Sequence, residues 1–455
     1  MPVRVEDASG FAGHADEVFA PRDEDEVIAI LRRAGQTRTP VTIAGAGTGV
    51  TGGRVPDGGW LLSLEKLRRL EVHPGRAIAG AGVPLAELHS AAAQTGQFYP
   101  PDPTEQSAAV GGAVATNASG SRSLRYGDTR RHVLRLRVAL MDGRLLEVRR
   151  GDTVDFDVPA LPLPATTKHT AGYRLRPGMD WIDLFTGSEG TLGVVTEAEL
   201  ILLPAPGALL TGVVFFPSDE LAIEAVEAWR QQAHPRRLEY LDRPSLDLLR
   251  AKFAEIPASA GAALLIEQDL ASEQDPEADR WHDRLAAAQA LLDGSWFAAG
   301  AGDRERFRRF RHALPEMVND AVRRNGFTKL GSDYAVPPAR NREMMAIYRE
   351  GCRRHFPGSY VIFGHIGDAH LHVNLLPRSE GEFARGRELM LEFARAAVAL
   401  GGTVSAEHGL GKRKRGLLEL QYTAAQIESM KRVKRRLDPD WLLGQGTLFP
   451  HETGR

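Results

Sequence analysis

Two short stretches in the second half of the chain hold most of the side chains that could do chemistry. The first is Gly364-His365-Ile366-Gly367-Asp368-Ala369-His370-Leu371-His372-Val373-Asn374. From residue 370 it alternates strictly, with His370, His372 and Asn374 on one side and Leu371, Val373 and Leu375 on the other. A strand has a side-chain period of two, so two imidazoles and an amide share one face while the aliphatic side packs into a core. His365 lies just upstream, and Gly367 and Asp368 allow a turn between. Three histidines thus arrive in one strand-and-turn unit, on a face expected to point away from the core. The second stretch is Ser405-Ala406-Glu407-His408-Gly409-Leu410-Gly411. Together they can offer imidazole and carboxylate ligands to a metal, with a histidine to spare as a base. A lone His-x-His in a strand means little; the specific signal is His365, His372, Glu407 and His408 in one chain.

These side chains need elements to position them. After residue 207 helical and strand patterns alternate: a helix over 221–229, a strand over 263–266, a helix over 279–292. The run 304–311 is densely basic and reads mostly as a solvated helix face. The cluster Lys412-Arg413-Lys414-Arg415 reads as a surface patch.

The first half is organised differently. Residues 23–35 predict a capped amphipathic helix with an apolar stripe of Val27, Ile28, Ile30 and Leu31, stopped by Gly35. A strand over 40–43 leads into Gly45-Ala46-Gly47-Thr48-Gly49-Val50-Thr51-Gly52-Gly53. Residues 47–52 satisfy G-x-G-x-x-G, but a Rossmann fingerprint must open a helix. Here Arg54-Val55-Pro56-Asp57-Gly58-Gly59 follows, then a strand over 60–64, so a Rossmann unit is rejected. No G-x-x-x-x-G-K-[ST] is present, which excludes a P-loop. The glycines still let the backbone approach an anion and turn its N–H groups toward it.

Two more runs of small residues follow. A stiff segment, Tyr99-Pro100-Pro101-Asp102-Pro103, leads into Gly111-Gly112-Ala113-Val114-Ala115-Thr116-Asn117-Ala118-Ser119-Gly120. A hairpin is predicted over 133–148, turning at Asp142-Gly143. Last comes Gly187-Ser188-Glu189-Gly190-Thr191-Leu192-Gly193. Three small-residue loops suit an extended ligand, such as a dinucleotide, laid along backbone.

The totals narrow the field. The chain has 455 residues, a length for two or three domains. A net charge of −2 and a pI near 6.7 leave no electrostatic footprint for nucleic acid. The single cysteine, Cys352, excludes an intrachain disulfide and a cysteine-based zinc or iron–sulfur site, and fits a reducing compartment. The start lacks the apolar core of a signal peptide. The uncharged stretch 200–218 is divided by Pro204, Pro206, Gly207 and Pro217, so it reads as a strand end, a linker and a new strand. A cytoplasmic protein is expected, at most peripheral to the inner face of the membrane.

In order along the chain, the Ile43-Ala44-Gly45 loop, Pro-Pro-Asp-Pro, Gly-Gly-Ala-Val-Ala-Thr-Asn-Ala and Gly-Ser-Glu-Gly-Thr-Leu-Gly resemble the FAD-binding half of the vanillyl-alcohol oxidase and p-cresol methylhydroxylase superfamily. The Gly-His-Ile-Gly-Asp and Ala-Glu-His-Gly-Leu-Gly-Lys motifs resemble its D-2-hydroxyacid dehydrogenase branch, which includes D-lactate and D-2-hydroxyglutarate dehydrogenases and a subunit of glycolate oxidase. The resemblance covers nearly the whole chain. It implies an α+β fold: a two-subdomain FAD-binding (PCMH-type) domain over 1–205, a substrate domain with antiparallel sheet and helices over 206–440, and a segment over 441–455 returning to the FAD domain.

The site residues it implies are carried position by position. Ala44, Gly45, Ala46, Gly47, Thr48 and Gly49 would cradle the pyrophosphate. Pro101, Gly111, Gly112, Asn117, Ser119, Gly120, Glu189, Gly190, Thr191 and Val195 would line the FAD. The three loops contain no histidine or cysteine, so FAD is expected to be non-covalent. His365, His372 and Glu407 resemble ligands of a divalent metal, with zinc the expected ion, and His408 the general base. Asn374, Arg311 and Lys329 resemble contacts to the substrate, the last two to its carboxylate. Many relatives carry Gly-Asn where Ala369-His370 stands here, and some carry a hydroxyl residue in place of Pro315.

The resemblance implies oxidation of a D-2-hydroxyacid to the 2-oxoacid, with hydride passing to the flavin N5. The electron acceptor is open between a quinone, a flavoprotein carrier and a partner subunit, and a homodimer is allowed. Other readings are a flavoprotein of the same fold acting on another alcohol, or a subunit of a multi-subunit oxidase. A metal-dependent hydrolase would leave the three glycine-rich loops without a role.

Overall fold

The computed structural model describes residues 2–298 and 300–451. Besides two two-stranded pairs, the first half builds two larger sheets. In one, Glu17–Phe19, Trp60–Ser63 and Val41–Ala44 lie parallel, with Trp60–Ser63 in the middle. The helix Glu24–Thr37 stands beside them. Asp23 caps it by accepting the Glu26 N–H, and three acidic residues in its first turn suit the helix dipole. It does not stop at Gly35: it runs on to Thr37, where Arg38 takes the left-handed turn at φ 53°. Val27, Leu31 and Ala34 bury against Val41, Leu62 and Met141, and this packing outweighs one unfavourable glycine.

The other sheet has five antiparallel strands, in the order Leu145–Arg149, Val133–Ala139, Val194–Ile201, Arg76–Gly80 and Leu70–His73. The Asp142-Gly143 hairpin forms as its sequence predicts. The run 111–120, expected to be a loop, begins instead as the helix Val110–Thr116, ended by Asn117 at φ 50°. Its small residues serve close packing: a Cβ on Gly111 would come 2.7 Å from that of Ala81.

The second half is ordered around a seven-stranded sheet, in the order Trp296–Phe297, Ala208–Phe216, Ala262–Leu270, Arg237–Asp242, Tyr360–His365, His370–Leu375 and Leu330–Gly331. Alternation along Ala208–Phe216 separates its two faces. Val214 and Phe216 join the core that includes Trp229 of the helix Asp219–Gln232 and Trp281 of the helix Glu277–Ala287. Val213 and Phe215 join a second core with Phe310 and Leu314 of the long helix Ala301–Arg324. The prolines of 200–218 divide it into Val194–Ile201, the short Leu203–Pro204 and the new strand Ala208–Phe216. Among the described residues no helix is long and apolar enough to cross a membrane.

Near its end the chain crosses back. The Val41 N–H donates to the Leu442 carbonyl and the Gly444 N–H to that of Val41, each at 2.8 Å. Leu442 and Leu443 bury in the Val27–Leu31 core.

Candidate active site

The strands Tyr360–His365 and His370–Leu375 form an antiparallel hairpin in which His365 pairs with His370 and Phe363 with His372. The turn between them is the 3-10 segment Ile366–Asp368, closed by Ala369 in the left-handed region at φ 51°. Gly364 is required here, because a Cβ would lie 2.9 Å from the His372 ring. Leu371, Val373 and Leu375 enter the core, as the alternation predicts. The opposite face is not open to solvent, however. His370 is fully buried and His365 is 5% exposed, because Ser119, Gly120 and Lys168 of the first half, with the 405–411 loop, close over them.

Glu407 is the centre of this face. Its Oε1 accepts hydrogen bonds from Ser119 Oγ (2.9 Å), the Gly120 N–H (2.9 Å) and Lys168 Nζ (2.5 Å). Its Oε2 faces His365 Nε2 at 3.3 Å, His370 Nδ1 at 4.0 Å and His372 Nε2 at 4.0 Å. On the far side of the rings, His365 Nδ1 meets Glu239 Oε1 at 2.5 Å, His370 Nε2 meets Asp333 Oδ1 at 3.1 Å and His372 Nδ1 meets the Ser332 carbonyl at 3.0 Å. One ligand atom from each of His365, His370, His372 and Glu407 lies within 4.8 Å of the others. This donor set suits a divalent cation. Burial opposes charge on His365, but Glu239 and Glu407 outweigh it and raise its pKa to about 9. Burial, with the neighbouring imidazoles, holds His372 well below its usual value.

His408 stands beside the cluster, its ring nearly parallel to that of His372 at 5.6 Å between centroids. Its Nδ1 is 3.4 Å from Asp333 Oδ1, and its own N–H donates to Asp333 Oδ2 at 2.9 Å. Burial lowers its pKa despite the pull of Asp333, which favours the neutral ring. The neutral ring is the form that can accept a proton.

His408 also lines a cleft. All three small-residue segments line it: Gly45, Ala46, Gly47, Thr48 and Gly49 from the first, Gly111 and Gly112 from the second, Glu189, Gly190 and Val195 from the third. At Gly49 and Gly112 a Cβ would meet nothing within 4 Å, so the missing side chains leave room along the wall. Arg54 also lines the cleft and lies over Gly47, with a buried Nε that has no partner and no ion pair among the described residues. A guanidinium free beside a glycine loop suits a pyrophosphate. The residues therefore fit an FAD, whose pyrophosphate the glycine loop and Arg54 would hold.

The remaining expected residues stand elsewhere. Ala44, Pro101, Asn117, Ser119, Gly120 and Thr191 are not among those lining the cleft. Asn117 holds Asp128 and the Arg130 N–H, and Thr191 bonds Tyr173 and the Ser188 carbonyl. Glu189 binds the N–H groups of Leu410 and Gly411, tying the third loop to the His408 motif, and burial raises its pKa to about 7. Arg311 forks onto Glu239, Nε at 3.0 Å and Nη2 at 2.9 Å, and reaches Thr104 with Nη1 at 3.2 Å. It therefore meets the cluster through Glu239 and His365. Asn374 and Lys329 come together over Gly331, where a Cβ would lie 3.1 Å from Asn374 Oδ1 and 3.5 Å from Lys329 Cε. Burial and the nearby Lys414 lower Lys329 to about 8. The run 412–415 is not a plain surface patch. Lys412 bonds the Val55 carbonyl, Arg415 bonds that of Gly446, and Lys414 is close enough to Asp333 for the carboxylate to favour its charge.

Sequence reading passed over Glu239, Asp333, Lys168, Arg54 and Lys414. Glu239, set between Leu238 and Tyr240 in the strand Arg237–Asp242, was the one visible signal.

Comparison with known proteins places this geometry. The chain matches the family described as "FAD linked oxidases, C-terminal domain" over residues 206–448 and "FAD binding domain" over residues 15–149. It belongs to the FAD-linked oxidases and is an oxidoreductase. It is 32% identical over 438 residues to a D-lactate dehydrogenase of Archaeoglobus fulgidus, covering 95% of this chain and 90% of that one. It is 32% identical over 447 residues to glycolate oxidase subunit GlcD of Bacillus subtilis (95% and 89%). To a D-2-hydroxyglutarate dehydrogenase of Xanthomonas citri it is 31% identical over 450 residues (95% and 89%). An alkyldihydroxyacetonephosphate synthase shares the fold, with a TM-score of 0.69 over 94% of this chain and 75% of that one, at 15% identity.

Proposed function

We propose that this protein oxidises a D-2-hydroxyacid, of the D-lactate, glycolate or D-2-hydroxyglutarate type, to the corresponding 2-oxoacid. The observation that carries the reading is the position of His408, which lines the cleft and whose ring stacks on that of His372 in the histidine–glutamate cluster. The relatives named for such acids match this chain nearly end to end.

FAD supplies the hydride acceptor, which no amino-acid side chain can be. A divalent ion held by the cluster supplies a Lewis acid that makes the substrate hydroxyl easier to deprotonate. His408 takes the hydroxyl proton at Nε2, while Asp333 on Nδ1 fixes the tautomer and steadies the ring once it is charged. Lys329 and Lys414, neither of them in an ion pair among the described residues, hold the substrate carboxylate, and Asn374 orients it from the adjoining strand. Arg311 acts through Glu239, keeping that carboxylate placed to receive the His365 Nδ1–H. With the substrate carboxylate and hydroxyl held by these residues, the reaction would become effectively unimolecular. Electrons then leave to a quinone, a flavoprotein carrier or a second protein chain.

Dialysis against a strong chelator tests the role of the ion. The protein should stay yellow, lose turnover of its hydroxyacid, and regain it when a divalent ion is returned. Full turnover after metal removal, verified by elemental analysis, would leave the cluster a purely structural role.

A further inference from the structure

Resting on the reading that this cluster holds a divalent ion, we propose that His370 is a fourth protein ligand. The ion would then be held by three imidazoles and one carboxylate, not by His365, His372 and Glu407 alone.

Hydrogen-bond direction fixes the state of the ring. His370 is fully buried, and its Nε2 lies 3.1 Å from Asp333 Oδ1. Asp333 is itself locked by Ser405 Oγ at 2.8 Å and the His408 N–H at 2.9 Å. A carboxylate only accepts, so a ring proton sits on Nε2, and in the neutral ring Nδ1 carries a bare lone pair. That Nδ1 is buried and has no hydrogen-bond partner among the described residues. It faces Glu407 Oε2 at 4.0 Å. Two acceptors turned toward each other in a buried site repel unless a cation lies between them.

The other two rings repeat the arrangement. His372 Nδ1 meets the Ser332 carbonyl, which can only accept, so its Nε2 is bare toward the same Oε2 at 4.0 Å. His365 gives Nδ1 to Glu239 and turns Nε2 to Oε2 at 3.3 Å. Three rings thus donate outward to oxygen and aim inward at one point, the pattern in which outer partners orient metal-bound histidines. Donors on opposite sides of an ion at about 2.1 Å are about 4.2 Å apart. The four atoms here lie within 4.8 Å of one another, so small side-chain shifts close the shell. Buried polar side-chain atoms mostly have a hydrogen-bond partner, so the bare His370 Nδ1 calls for one.

Four protein donors have a consequence for the ion. One that also accepts a substrate oxygen must take five or more ligands, more than the four usual for zinc.

The test uses the flavin-loaded full chain. X-ray absorption of the cobalt(II)-loaded protein should count three imidazoles on the metal; two would overturn the proposal. In competition with a chromophoric chelator, His370→Asn should lower cobalt affinity by about 100-fold or more, at or beyond the top of the range for an outer-shell partner. Asparagine can still donate to Asp333, so unchanged affinity would make His370 structural and overturn the proposal. Should the variant fail to fold, the wild-type imidazole count decides alone. Absence of any bound metal would defeat both this proposal and the metal reading it rests on, whereas a metal on two imidazoles would remove only His370.

Discussion

His408→Ala should keep its FAD and lose flavin reduction by about 10²- to 10⁴-fold, the usual contribution of a positioned acid or base. The cofactor should stay because His408 is one residue on the edge of a cleft lined mainly by glycines, alanines and threonines. The chemistry should go because His408 is the one histidine among the residues lining the cleft, and its ring stacks on His372 of the cluster. The pH dependence has a definite sign. The His408 pKa is lowered from 6.5, chiefly by burial, so the ring stays neutral through neutral pH and protonates only on the acid side. Wild-type reduction should therefore be level near pH 7 and fall at a pH below 6.5. The alanine variant should be slow throughout and lack that limb. Rapid reduction by the variant, or an unchanged acid limb, would assign the proton to another group. Stopped-flow absorbance of the flavin band reads both.

Lys168→Met should be the most destabilising single change near the site. The lysine side chain is fully buried, with Nζ 2.5 Å from Glu407 Oε1, 3.4 Å from Asp368 Oδ2 and 3.1 Å from the Gly120 carbonyl. Burial opposes its charge, but Glu407 and Asp368 prevail and raise its pKa, so it is an ammonium at neutral pH. Removing it leaves two buried carboxylates facing a methionine. Breaking a buried pair from one side costs about 3–5 kcal/mol. A loss of that size lowers the melting temperature by roughly 3–5 °C for a cooperative unit of 455 residues. The sign with pH follows from both partners. Glu407 is held well below its usual range, so its contribution is present above about pH 4.5 and is lost as pH falls through the depressed value. Lys168 contributes below about pH 10.5 and loses that only above its raised value. The stability gap between wild type and variant should thus be widest at neutral pH and shrink in acid. Superimposable melting curves at pH 7 would show that the pair is not worth its burial.

These two residues also show what a sequence can reveal. His408 was legible because its motif is short and bounded by glycines, and because strict alternation put His370, His372 and Asn374 on one strand face. That the three small-residue segments meet on one cleft was legible in their glycines, although Gly111 answers to packing on Ala81. Lys168 was not, because it sits in irregular chain with no period to read. Glu239 and Asp333 orient the histidines from strands and loops 126 and 37 residues away from their partners, a pairing set by sheet order rather than by spacing. The helix Val110–Thr116 was missed for a related reason: two glycines argue against a helix locally, and its packing on Ala81 overrides them. The burial of the histidine face could not be read from the strand itself, since the first half of the chain is what covers it.

The most direct measurement is the visible spectrum of the purified protein, taken without oxygen as D-lactate, glycolate and D-2-hydroxyglutarate are added in turn. A flavin band that bleaches with one of them, and not with the L-enantiomer of a chiral acid, is the expected result. A flavin band that none of these acids bleaches would contradict the assignment of a D-2-hydroxyacid as the substrate.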